Sequence, residues 1–205
     1  MNAATTPVAE VGMSISERGP SPRTVIVGYG FWLFLLSDII LFSALFAAYA
    51  VLSGRTADGP SGALLFHRDS VLIETGCLLL SSFTCAMMSL AIEFRRKDWM
   101  LLGAGLTLAL GAAFLWLELT EFGAMLAHGA GPDRSAFLSA FFALVGMHGL
   151  HVSLGLGWLV VMMAQVFTLG WRAMVRDRLA CFALFWHALD IVWIGVFTIV
   201  YLGAR

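Results

Sequence analysis

The chain has 205 residues, 60% of them hydrophobic and only 12% charged, with a mean hydropathy of +0.89 and a formal net charge of −1. A soluble domain carries about 25% charged residues, so half that share with long apolar runs excludes a soluble fold and places the chain in a bilayer. Near-neutral charge without a basic, aromatic-interleaved patch also excludes nucleic-acid binding.

Residues 1–24 are polar and include Pro7, Pro20 and Pro22. They lack an apolar core followed by a small-residue cleavage site. They therefore read as a mobile tail and not a cleaved signal peptide, with residues 25–205 forming one transmembrane domain. A spanning helix needs about 20 mostly apolar residues, and five segments qualify: about 25–52, 70–94, 99–127, 135–169 and 178–202. The first ends at Ser53-Gly54, before a loop containing Asp58-Gly59-Pro60, and the second stops at Arg95-Arg96-Lys97. Gly129 to Pro132 break the third. The fourth, capped by Asp133 or Ser135, is longer than a bilayer requires and must tilt or project. The fifth ends near Leu202. Short loops predict consecutive helices as antiparallel neighbours in one bundle.

Lys and Arg in the loops set the orientation. One side holds Arg18, Arg23, Arg95, Arg96, Lys97, Arg172, Arg176 and Arg178; the other holds Arg55, Arg68, Arg134 and Arg205. The excess puts the N-terminus in the cytoplasm and, after five spans, the C-terminus in the periplasm. Trp99 and Trp171 beside the basic turns fit an aromatic belt at the cytoplasmic interface.

Ionisable residues at membrane depth are the informative ones, because each normally faces the bundle interior and has a partner. They are Asp38, Glu74, Glu118, Glu121, His148, His151, His187 and Asp190. Counting about 1.5 Å per residue from the helix ends places Asp38, His148, His151, His187 and Asp190 around mid-membrane. Glu74, Glu118 and Glu121 form a second layer nearer the outer side. Glu118 and Glu121, His148 and His151, and His187 and Asp190 are i,i+3 pairs, each sharing a face. Glu74, Cys77, Ser81, Cys85 and Met88 form an inward stripe. Gly149, Ser153 and Gly157 form a small-residue row suited to close helix approach.

Several chemistries compete for these residues. Two histidines do not fill a zinc or di-iron site, and no further ligand stands at matching spacing in that helix. Bis-histidine haem ligation between His148 or His151 and His187 is a second reading. An interhelical hydrogen-bond network is the simplest. Asp38 is either a paired or protonated acid or a proton-relay group. Cys77, Cys85 and Cys181 read as packing residues. The sequence contains no phosphate loop, GxSxG or HExxH, and no catalytic, metal or cofactor-binding residue is assigned.

The residues carry a family resemblance. Gly131-Pro-Asp-Arg-Ser135, Phe137 to Val145 and His148-Gly-Leu-His-Val152 resemble subunit III of the haem–copper terminal oxidases. So do Phe185-Trp-His-Ala-Leu-Asp-Ile-Val-Trp193, Tyr201, Phe31 to Phe42 and Glu118-Leu-Thr-Glu121. The resemblance covers residues 28 to 203. Within the family the chain is most similar to the five-helix subunit III of bacterial cytochrome o (bo-type) ubiquinol oxidases. It has no room for two additional N-terminal helices, and it carries Asp38 where cytochrome c oxidases have Glu.

The resemblance implies an all-α, five-helix subunit III-like bundle in the bacterial inner membrane, serving aerobic respiration. It implies no cofactor on this chain. Haem, copper and ubiquinol oxidation belong to subunit I, and oxidase subunits I, II and IV and structural phospholipid are the partners. The expected role is support of assembly, lipid binding and sustained proton uptake. The alternatives are subunit III of a cytochrome c oxidase, a small proton-coupled transporter, and a membrane b-type cytochrome. The expected mechanism separates the first two helices from the last three by a lipid-filled groove, divided at the Ser53–Asp69 loop and lined by Asp38 and the mid-membrane histidines.

Overall fold

The computed structural model describes residues 23–56, 68–170 and 172–203. The tail over 1–22, the Asp58-Gly59-Pro60 loop, Trp171 and Arg205 lie outside the described residues. Five helices follow one another: α1 Arg23–Leu52, α2 Arg68–Glu93, α3 Lys97–Ala127, α4 Ala136–Leu169 and α5 Ala173–Val196. α5 continues as a π-helical turn over Phe197–Leu202, where the Thr198 hydroxyl donates to the Ile194 carbonyl at 2.8 Å. All five are long and apolar enough to cross a membrane.

Local chemistry sets the ends. Ser135, not Asp133, caps α4, its Oγ accepting from the Leu138 amide at 3.2 Å. α3 ends with Gly129 at φ +71°. There the Ala130 amide reaches the Met125 carbonyl and the Gly129 amide reaches that of Leu126. This paired closure satisfies two otherwise unpaired carbonyls. α5 begins at Ala173, earlier than the sequence reading placed it, so Arg176 and Arg178 lie on the helix and not in the turn. Arg is a good helix former whose stem can lie along apolar surface, and Arg178 reaches back to Gln165 on α4 at 3.0 Å.

Every helix pair in contact follows the alternation of spans. α2 and α3 form a tight antiparallel hairpin, and α4 runs antiparallel to both α3 and α5. α5 packs along α1, α2 and α4, touches α3 through the Trp193–Phe114 ring pair at 4.7 Å, and is the most buried of the five. α1 packs against α4 and α5, with no comparable contact to α2. The expected division into two helices and three is therefore corrected. The connection over 53–67 is long enough to carry the chain past its neighbour, so adjacency in sequence does not enforce adjacency in space. α1 is the peripheral element, with Trp32, Leu33, Phe34 and Ile40 exposed.

Candidate functional site

The polar residues at membrane depth fall into three places. The first joins α1 to α4. Asp38 and His151 are both half-buried, and Asp38 Oδ1 lies 3.8 Å from His151 Nε2. The other ring nitrogen, Nδ1, lies 2.8 Å from the Met147 carbonyl. Phe42 packs on the same ring at 5.2 Å. The hollow beside Asp38, walled by Leu35, Phe42, Phe185 and Leu189, holds about 20 Å³. That is room for about one water-sized body.

The second place joins α2 to α5. His187 Nδ1 lies 2.8 Å from Ser82 Oγ, and Asp190, one turn on, is buried beside Ser82 and His187. Trp186 Nε1 donates to Ser81 Oγ at 3.0 Å, and Trp193 Nε1 donates to Thr75 Oγ1 at 3.1 Å. Trp186, His187 and Trp193 of α5 thus each bond to a hydroxyl of α2. Each bond lets an indole or imidazole enter the interior without an orphaned polar atom.

The third place is the acidic layer. Glu74 on α2 and Glu118 on α3 are fully buried, Glu121 is half-buried, and all three lie close enough to interact electrostatically with one another and with Tyr201. The Glu118 carboxylate lies over Gly149 of α4, where a Cβ would stand 3.0 Å from Oε1.

His148 sits between these places and is completely enclosed. Its ring lies 5.2 Å from Trp193, 5.8 Å from Phe114 and 6.4 Å from Phe42, and neither nitrogen takes a hydrogen bond. Asp38 Oδ2, both oxygens of Glu74 and Glu118, Glu121 Oε1 and Asp190 Oδ1 are likewise buried without a hydrogen-bond partner. Such atoms are costly inside a protein, and their coincidence with the residues singled out by sequence is the main property of the site. Among the described residues, no group of three or more His, Cys, Asp or Glu side chains could hold a metal ion.

The inward stripe is as expected for Glu74, Ser81, Cys85 and Met88, with Cys77 half-buried. The small-residue row on α4 is corrected in part: Gly149 is buried under Glu118 of α3, and the other two members differ. Ser153 and Gly157 are exposed, and Gly157 approaches nothing within 4 Å. Close approach instead occurs at Gly155, where a Cβ would meet Trp186 at 3.1 Å, and at Gly111 and Gly103 on α3. Reasoning from charged groups missed Trp186, Trp193, Thr75 and Ser82. The signal was the seven-residue interval between the two tryptophans, which puts both on one face.

The family model for cytochrome c oxidase subunit III matches residues 18–204 of the chain. The cytochrome bo(3) ubiquinol oxidase subunit 3 of Pseudomonas aeruginosa is 53% identical over 174 residues, covering 85% of this chain and 83% of that protein. The protein of the same name from Buchnera aphidicola subsp. Baizongia pistaciae is 44% identical, covering 84% of this chain and 89% of that one. The quinol oxidase subunit 3 of Bacillus subtilis is 40% identical, covering 84% and 85% respectively.

Proposed function

The chain belongs to the cytochrome c oxidase subunit III family, and on that premise we propose that it is the non-redox subunit III of a proton-pumping ubiquinol oxidase in a bacterial inner membrane. The observation that carries the reading is sustained identity, over most of both chains, to relatives named as quinol oxidase subunits. Quinol is thereby favoured over cytochrome c as the electron donor of the complex. Haem, copper and the reduction of oxygen belong to subunit I, and subunits I, II and IV are the partners. The excess of Lys and Arg on one side supports a cytoplasmic N-terminus and a periplasmic C-terminus.

In this reading the interhelical contacts of Asp38 with His151 and of Trp186, His187 and Trp193 with α2 fix helix register, and the unbonded buried acids keep protonatable groups beside the catalytic subunit, without reacting themselves. Asp38 has the most specific part: it ties the peripheral α1 to His151 of α4. An interhelical polar contact in a membrane is worth ~0.6 kcal/mol, small for the fold but sufficient to bias a peripheral helix. Asp38→Ala should leave insertion intact while shortening the working lifetime of the purified complex about threefold, the equivalent of that energy. Progress curves of oxygen consumption at saturating quinol measure this. A wild-type lifetime in the variant would remove Asp38 from the proposed role.

A further inference from the structure

Most hydroxyls of α2 serve their own helix. Ser81, Thr84 and Ser89 each donate to a carbonyl of α2, at 2.7, 2.9 and 3.1 Å, as a helical hydroxyl ordinarily does. Among the described residues Ser82 makes no such bond. Its Oγ lies 2.8 Å from His187 Nδ1, and the same hydroxyl bonds the Asp190 side chain. Ser82 thus bridges an imidazole and a carboxyl that share one face of α5. Asp190 is 7% exposed, and its Oδ1 is enclosed without a partner. His187 is half-buried, and its Nε2 is neither bonded nor enclosed.

A hydroxyl carries one proton, and each ring nitrogen of a neutral histidine either donates or accepts. The three groups therefore admit two arrangements. With Asp190 ionised, Ser82 donates to the carboxylate. The Nδ1–H of His187 then donates to Ser82 Oγ, and Nε2 carries a lone pair. With Asp190 protonated, every hydrogen bond reverses. The carboxyl donates to Ser82, Ser82 donates to Nδ1, and Nε2 carries the hydrogen. The two arrangements differ by one proton. A proton bound at Nε2 releases the Nδ1 proton to Ser82 Oγ, which passes its own to Asp190. No hydrogen bond is lost, and the trio becomes neutral, the state that a bilayer interior favours. The sequence ends at Asp190, whose Oδ1 has no further partner. Of the other titratable groups, Cys85 of α2 is buried near Asp190. Asp38 of α1 meets α5 beside Phe185 and Leu189. His151 and His148 of α4 meet it at Phe185 and Trp193. α3 presents Phe114 and Gly111, which do not titrate.

We propose that His187, Ser82 and Asp190 form a proton-binding site inside the membrane, which takes one proton from water at His187 Nε2 and holds it on Asp190. The site stands on the α2–α5 geometry and is independent of the oxidase reading. It stores a proton and passes none on. A purely structural seam would keep one fixed direction of hydrogen bonding, and a histidine without the bridge would take the proton as an imidazolium. Trp186 and Trp193 also bond α5 to α2, so a change at Ser82 does not leave the seam unbonded.

The test uses the chain in its native assembly, reconstituted in nanodiscs, with isotope-labelled histidine rings. Infrared difference spectra are taken between alkaline and acid buffer. Asp190→Asn identifies the Asp190 carbonyl stretch, and His187→Gln identifies the His187 ring modes. The expected result is a protonated-carboxyl band of Asp190 on acidification. It should rise with a change of the neutral His187 ring from the Nδ1–H to the Nε2–H form, at one shared midpoint. Ser82→Ala should abolish the carboxyl band and give an imidazolium at His187 in its place. Ser82→Thr, which keeps the hydroxyl, should retain the wild-type pattern. An imidazolium at His187 in the wild type, or a carboxyl band with no change in the ring, would overturn the proposal. So would a Ser82→Ala complex in which both changes persist. If that complex does not assemble, the wild-type spectra decide alone, and separate midpoints for ring and carboxyl would overturn the proposal.

Discussion

Trp186→Ala should be the most damaging single substitution in the chain, destabilising it by about 3–5 kcal/mol, the range for truncating a buried tryptophan. The indole is 1% exposed and occupies a slot formed by two missing side chains. A Cβ at Gly111 of α3 would stand 2.9 Å from Cη2, and one at Gly155 of α4 would stand 3.1 Å from Cζ3. Its Nε1 donates to Ser81 of α2, and Phe182 stacks beneath it at 5.6 Å. One side chain of α5 therefore touches the other three helices of the bundle interior. In a bilayer, helix association depends on packing and not on expulsion of water, so an emptied slot has no compensating gain. The hydrogen bond is the smaller part, at about 0.6 kcal/mol. Ser81→Ala should cost about that much, and Trp186→Phe an intermediate amount. Denaturation in mixed detergent micelles by added dodecyl sulfate, read by circular dichroism, measures the series. A Trp186→Ala chain within about 1 kcal/mol of the parent would show that the slot does not hold the bundle together.

Gly103→Ala should come second, at about 1–3 kcal/mol, the cost of overpacking a filled interface. A methyl there would lie 3.0 Å from Cβ and 3.1 Å from both Cα and N of Met88. Those atoms belong to the core of α2 and cannot rotate aside. The two helices would have to part, straining the seam one turn away, where Thr107 Oγ1 and Thr84 Oγ1 meet at 2.8 Å. Gly149→Ala is the control. Its methyl would also stand 3.0 Å from a neighbour, but that neighbour is the carboxylate end of Glu118, which has rotatable bonds. The control should cost less than about 1 kcal/mol. The same micelle titration compares the two. Equal effects would mean that the α2–α3 spacing is softer than the geometry implies.

These two residues mark where sequence reasoning reached and where it stopped. Five spans were legible because hydropathy over about 20 residues is a strong signal. The pairing of Asp38 with His151 was approachable by depth counting, since rise per residue is fixed. The face shared by His187 and Asp190 followed from i,i+3 spacing and is realised at Ser82. The position of α1 was not legible. A long connection removes the rule that neighbours in sequence pack together, and α1 offers a nearly uniform apolar surface that names no partner. The role of Trp186 was hidden because its slot is made by glycines on two other helices, and no local pattern links Gly111, Gly155 and Trp186. Arg176 and Arg178 were assigned to a turn because positive charge was read as an end signal, although the first turns of a helix at a membrane interface accommodate Arg readily.

The most direct measurement of the central claim is a mild-detergent pull-down of the tagged chain from its native membrane, with an absorption spectrum taken before and after the chain is stripped from its partners. The account predicts large co-purifying subunits with haem bands that stay with those subunits and are absent from the isolated chain. Haem retained by the isolated chain would contradict it in favour of a b-type cytochrome. A chain that purifies with no partner would contradict it in favour of a self-sufficient transporter.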